Sequence, residues 1–198
     1  MIKREQYMSR IRPFIGSELV KVMTGIRRSG KSVMLELVKA ELVDSGVDSA
    51  NFISINFEDM RYGHLLNAQA LHDHVMELAG QLSGKVYLFF DEIQEVADWE
   101  RCINSFRVAL DCDIYITGSN AKLLSGELAT YLGGRYVEFV IYPFSFGEFM
   151  ELYRTVEPEA TDAKCFQKYL LSGGMPYLAN LRYEDAPSRQ YLTDLFNS

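Results

Sequence analysis

The chain has 198 residues, 48% of them hydrophobic and 24% charged. That is the balance of an ordinary globular domain, long enough to bury a core without covalent staples. A net charge of −7 argues against a surface devoted to nucleic acid, although a local basic patch stays open. The three cysteines, Cys102, Cys112 and Cys165, are odd in number and form no CxxC. They exclude a disulfide framework or zinc cluster as the organising device and fit a reducing compartment. The first residues carry no apolar stretch after their charges, and the longest apolar run is Val86 to Phe90. A membrane span needs about 18 apolar residues. The expectation is a cytoplasmic chain with no membrane partner.

In chain order, residues 4–14 have helical spacing, with Tyr7, Ile11 and Phe14 on one face. Leu19 to Met23 is a short strand interrupted by Lys21, and a glycine-rich loop follows. Ser32 to Val43 is a helix with Val33, Leu37 and Ala40 on one side and Leu35, Leu42 and Val43 nearby, stopped by Ser45-Gly46. Asn51 to Phe57 alternates as a strand, and Leu65 to Leu82 is a helix in the register Leu71, Val75, Leu78, Leu82. Val86 to Phe90 is wholly apolar, as in a buried parallel strand. Trp99 to Leu110 is helical, Asp113 to Thr117 a strand, and Ala121 to Leu132 a helix broken near Gly126. Tyr136 to Tyr142 is a β-branched and aromatic strand. This βα alternation predicts an α/β fold, a parallel sheet with helices on both faces.

After Pro143 only helical signals remain, so the expected division is an α/β core over 1–143 and a helical segment over 144–198. The aromatic string Pro143 to Met150 is expected to pack this tail on the sheet. Tyr191, Leu192, Leu195 and Phe196 make an apolar stripe that runs almost to Ser198. Such a stripe calls for a partner, so the chain is expected to be a piece of a longer protein.

Chemistry enters at Gly25-Ile26-Arg27-Arg28-Ser29-Gly30-Lys31-Ser32, which fits GxxxxGK[ST]. The glycines let the backbone form a nest of N–H groups, and the following helix points its positive end at the same anion. Ser29, Gly30 and Val33 would line the nucleotide with Gly25. Lys31 would reach the β- and γ-phosphates, and the Ser32 hydroxyl would coordinate magnesium. Arg28 lies in the variable part of the loop, where touching phosphate or water is equally open. The context agrees, since an apolar strand precedes the loop and a helix follows. ATP and Mg2+ are the expected ligands.

The run Val86 to Phe90 ends in Asp91-Glu92. Asp91 at a strand's C-terminal end would hold magnesium, and Glu92 is placed to polarise an attacking water. An adjacent glutamate favours hydrolysis over simple nucleotide storage. Ser119 or Asn120, after the strand at Ile114 to Thr117, could meet the γ-phosphate or the water, or could cap a helix. Arg135, after Gly133-Gly134, could complete a neighbouring copy's site as an arginine finger, or could be a solvated turn residue. His72 and His74 are two apart on a helix and face different ways, and His64 stands alone. No NKxD for guanine, GxSxG or HExxH is present.

These strings resemble a family, the prokaryotic AAA+-like P-loop ATPases with an N-terminal ATPase domain and a C-terminal domain of uncharacterised function. The resemblance rests on T-G-I-R-R-S-G-K-S (24–32), L-F-F-D-E-I-Q (88–94), I-T-G-S-N (116–120), L-G-G-R (132–135), Y-P-F-S-F-G-E-F (142–149) and G-G-M-P-Y-L (173–178). It implies the additional-strand sheet order 5-1-4-3-2, with a C-terminal helical lid over the nucleotide. It also implies Glu92 as catalytic base, Ser119 or Asn120 as sensor, and Arg135 acting in trans within a homo-oligomer. The expected function is Mg-dependent ATP hydrolysis that moves an attached domain, or a nucleotide-dependent switch with little turnover. The target, protein or DNA, is open.

Overall fold

A computed structural model describes residues 2–119 and 132–197. The expected helix over 121–132 lies almost wholly outside them. The chain falls into two compact units, one of residues 5–26 and 31–141, the other of residues 1–4, 27–30 and 142–198.

The first unit is the α/β unit. Its strands are β1 (Val20–Thr24), β2 (Phe52–Asn56), β3 (Val86–Asp91), β4 (Cys112–Thr117) and β5 (Tyr136–Val140). They form one sheet in the order β2-β3-β4-β1-β5, and every neighbouring pair is parallel. Read from the other edge this is the expected order, with β4 inserted between β1 and β3. Among the described residues its α-helices are α1 (Glu5–Ile11), α2 (Lys31–Asp44), α3 (Ala68–Ala79) and α4 (Trp99–Ala109).

The strand period of two sends alternate side chains to opposite faces. Val20, Val22, Leu88, Phe90, Ile114 and Ile116 pack on one face with Leu71 and Val75 of α3 and Ile103 and Phe106 of α4. Met23, Phe89, Tyr115 and Phe139 face the other way, among Tyr7 and Ile11 of α1 and Met34, Val38 and Leu42 of α2. The buried face of α2 follows the expected one in part. Leu35, Leu37 and Leu42 are inside together with Met34 and Val38, whereas Val33 is 40% and Val43 47% exposed. Both faces of this helix are apolar, so its sequence names no inner side by itself.

Lys21, which interrupts the apolar pattern of β1, is fully buried and ion-paired with the equally buried Asp113 of β4. Asp113 also accepts from the Gly16 amide (2.7 Å) and from the Tyr115 hydroxyl (2.8 Å). The Lys21 ammonium lies 4.9 Å from the centre of the Tyr115 ring. Burial lowers the Lys21 pKa and Asp113 opposes it. Burial and then Asp113 push the Tyr115 hydroxyl up, which keeps it a donor.

The second unit is helical: α5 (Phe146–Val156), α6 (Asp162–Ser172) and α7 (Asp185–Phe196), with a 3-10 turn at Pro176–Ala179. Ser145 and Glu148 form a capping box at the start of α5. The aromatic string packs inside this unit. The Phe149 ring meets Tyr153, Tyr169 and Tyr183 at 5.1–5.4 Å between centroids, and Phe146 meets Phe166 and Tyr169. Tyr191, Leu192 and Leu195 of the terminal stripe also pack on this core, and Phe196 alone of the four is largely exposed. Gly174 is obligatory by contact, since a Cβ there would stand 2.1 Å from the Phe144 carbonyl oxygen.

Candidate active site

In a parallel sheet all C-terminal strand ends share one edge, and ligands gather there. Here β1, β3 and β4 end at that edge in Thr24, Asp91 and Thr117. The Thr24 hydroxyl donates to Glu138 of β5 (2.6 Å), and its carbonyl accepts from the Ile141 amide (2.7 Å). The strand before the glycine-rich loop is therefore tied to its neighbour at its last residue.

Lys31 is the first residue of α2, so the unpaired N–H groups of a 14-residue helix open at the loop. Its side chain is buried and folded back, with Nζ 3.4 Å from the carbonyl oxygens of both Gly25 and Ile26. The same ammonium lies 3.6 Å from Glu92 Oε1. Ser32 and Val33 are exposed on the first turn.

Asp91 is buried and held from two sides. Asn56, its register partner on β2, donates to Oδ2 (3.1 Å), and the Thr117 hydroxyl donates to Oδ1. Each carboxylate oxygen keeps a further acceptor site. Thr117 Oγ1 also accepts from the Glu92 amide (2.9 Å), so one hydroxyl fixes both acids. Glu92 has left-handed backbone (φ 54), an uncommon state for a residue other than glycine. Its Oε2 accepts from Gln94 Nε2 at 2.5 Å. Ser119 is half-buried two residues past β4, and the preceding Gly118 amide donates to the Met23 carbonyl of β1 (3.3 Å). Asn120 lies outside the described residues.

Arg135 immediately precedes β5, at the opposite edge of the sheet. Its carbonyl accepts from the Val20 amide at the start of β1, and its guanidinium bonds Asn104 (3.1 Å). A five-residue strand spans about 16 Å. Arg135 thus stands at the N-terminal end of the strands, whereas Asp91 stands at the C-terminal end.

The loop tip, residues 27–30, belongs to the helical unit. Ser29 is fully buried, and its hydroxyl has no partner among the described residues. The Arg28 guanidinium stands 5.8 Å from the Tyr191 ring centre in α7. The Ser29 carbonyl accepts from Arg4 Nη1 (3.1 Å). Arg4 is 2% exposed and carries left-handed backbone (φ 48), which costs about 1–2 kcal/mol for such a residue. Its guanidinium also bonds the Tyr142 carbonyl (2.8 Å) and both oxygens of Glu148 (3.0 and 3.4 Å). Burial works to raise the Glu148 pKa. The bonds from Arg4 and Ser145 outweigh it and hold the carboxyl below its usual value.

The sequence reading found Lys31, Asp91 and Glu92, which meet here, but missed Asn56, Thr117, Arg4 and Glu148. Thr117 stands in the string I-T-G-S-N, but as the last residue of an apolar strand it reads as part of the sheet. Asn56 is visible only through its register with Asp91. Arg4 carried no local signal.

The family model of an AAA domain matches residues 17–150, and the chain belongs to this family. An uncharacterized protein of Haemophilus influenzae is 39% identical over the whole chain, which spans 49% of that protein. One of Methanocaldococcus jannaschii is 33% identical over 89% of the chain and 41% of its own length. The chain therefore spans about half the length of the curated relatives it matches. The AMPPCP-bound DnaA of Aquifex aeolicus shares the fold, with a TM-score of 0.60 at 14% identity over 97% of this chain and 65% of that one. Among the described residues no helix is long and apolar enough to cross a membrane.

Proposed function

We propose that the chain binds ATP at residues 25–33 and hydrolyses it, with Glu92 as general base. The observation that carries this reading is the meeting of Lys31 and Glu92, 3.6 Å apart, beside an Asp91 whose two oxygens are oriented by Asn56 and Thr117. Family membership and a neighbour of the same fold that holds AMPPCP support it.

The Gly25 and Gly30 regions and the α2 N-terminus supply N–H donors to the phosphates, and Lys31 supplies a mobile positive charge. Ser32 and Asp91 are the oxygen donors suited to magnesium, a hard cation that neutralises phosphate charge when bound. The free acceptor sites on Asp91 fit that role. Glu92, fixed through its amide by Thr117, takes the proton of the attacking water. Ser119 and Asn120 are assigned to sensing the γ-phosphate, Arg28 and Val33 to flanking the nucleotide, and Arg135 to a neighbouring copy's site. The helical unit is assigned as the lid, and nucleotide turnover as the drive for an attached region.

One observation favours a second reading, a switch with little turnover. Glu92 rests against the Lys31 ammonium and Gln94, contacts that engage the carboxylate assigned as the base. Nucleotide binding and single-turnover hydrolysis separate the two. Lys31→Ala is expected to abolish ATP binding, and Glu92→Gln to keep binding while turnover falls by about 100-fold or more. Hydrolysis by Glu92→Gln at the parent rate would remove Glu92 from the mechanism. A parent chain that binds ATP without turning it over would leave the switch.

A further inference from the structure

The nearly buried Arg4 is the feature that the ATPase reading leaves unexplained. It joins three segments of the helical unit: the loop tip through the Ser29 carbonyl, the 142–143 stretch through the Tyr142 carbonyl, and α5 through Glu148. An isolated buried guanidinium is costly, and here it is met by a carboxylate and by backbone carbonyls. Arg4 uses Nε, Nη1 and Nη2 for these bonds, a spread of donors that the single nitrogen of a lysine does not reproduce.

The Ser29 bond has a directional consequence. Among the described residues no peptide is cis. In a planar trans peptide the carbonyl and the following N–H point in opposite directions. Arg4 holds the Ser29 oxygen on its own side, so the Gly30 N–H points away from it. Gly30 itself has φ 101, and a Cβ there would stand 3.5 Å from Arg4 Nη1. The peptide between Ser29 and Gly30 is therefore set by Arg4 on one side and by glycine's conformational freedom on the other.

We propose that Arg4 is a positioning residue for phosphate binding: by anchoring the Ser29 carbonyl it aims the Gly30 amide at the phosphates, and Glu148 locks it to the start of α5. This deepens the nucleotide-site reading and rests on it. Glu148 does two jobs with one carboxylate. It caps α5 through Ser145 and it pairs with Arg4, so the loop peptide and the first turn of α5 share one bonded group. A phosphate that pulls on the Gly30 amide is then felt at α5 through two bonded contacts.

The test uses magnesium tripolyphosphate, which has no base or sugar, beside Mg-ATP. Titration calorimetry compares the parent chain with Arg4→Lys and Glu148→Gln, each shown to be folded by circular dichroism. Arg4→Lys is expected to weaken both ligands by about tenfold, the loss of one well-aimed donor. Glu148→Gln retains the helix cap and is expected to weaken them less. A purely structural Arg4 lowers the melting temperature and leaves both affinities within about twofold in the folded variants, which overturns the proposal. Should Arg4→Lys fail to fold, NMR on the parent chain decides. Tripolyphosphate is expected to shift the Gly30 amide and the Arg4 Nε–H together, and a shift of Gly30 with Arg4 unmoved overturns it. A parent that binds neither ligand removes the nucleotide reading and this proposal together. A parent that binds both, with variants that bind alike, removes only the role of Arg4.

Discussion

Asp113→Asn tests the buried ion pair beneath the sheet. The substitution keeps the side chain's shape and removes the charge that faces Lys21. The carboxylate now accepts from the Lys21 ammonium, the Gly16 amide and the Tyr115 hydroxyl. An asparagine offers one acceptor oxygen with two lone pairs and an NH2 that only donates, so these three donors cannot all be met. The Lys21 ammonium, with no exposed surface, is left without a countercharge. Removing one partner of a buried pair costs about 3–5 kcal/mol, against a total stability of roughly 5–15 kcal/mol. At about 2–4 °C per kcal/mol for a domain of this size, the melting temperature falls by roughly 6–20 °C. Thermal and urea melts followed by circular dichroism measure it, with a lower midpoint and an unchanged slope. Adding Lys21→Met to Asp113→Asn removes the stranded charge and is expected to recover part of the loss. A single variant within about 2 °C of the parent, or a double variant less stable than Asp113→Asn alone, would refute the reasoning.

Two further predictions concern the site and the helical unit. Thr117→Val keeps the shape of Thr117 but removes the hydroxyl that bonds both Asp91 and the Glu92 amide. ATP turnover is expected to drop about tenfold or more while binding changes little, as read by kcat and Kd; equal losses in both would make Thr117 merely structural. Glu148 has a depressed pKa, so it stabilises the folded chain above the ordinary carboxylate value and loses that contribution as pH falls through its own. The stability gap between the parent and Glu148→Gln is expected to be constant above about pH 5 and to shrink below about pH 4.5. A gap that widens on acidification reverses the sign and contradicts the ion pair with Arg4.

Much of the site was readable because the groups concerned sit at fixed offsets in short segments. The motif GxxxxGK[ST] sets Gly25, Gly30, Lys31 and Ser32 within eight residues, and a buried strand ending in Asp91-Glu92 announces itself by composition. The α/β alternation was equally local, since strand and helix periods differ over a few residues. The inner face of α2 was not, because both its sides are apolar and only the sheet chooses between them. Lys21 read as a flaw in β1, yet it answers Asp113, 92 positions away on the neighbouring strand.

The sequence by itself determined the order of elements, the parallel sheet and the loop proposed to bind phosphate, because each follows from local spacing. Tertiary structure alone decided which groups hold those residues in place. Asn56 and Thr117 orient Asp91 through strand register, and Arg4 reaches the loop tip from the start of the chain. The physical reason is that a buried polar group must find a partner in space. Its partner is set by packing over long separations and leaves no periodicity in the chain.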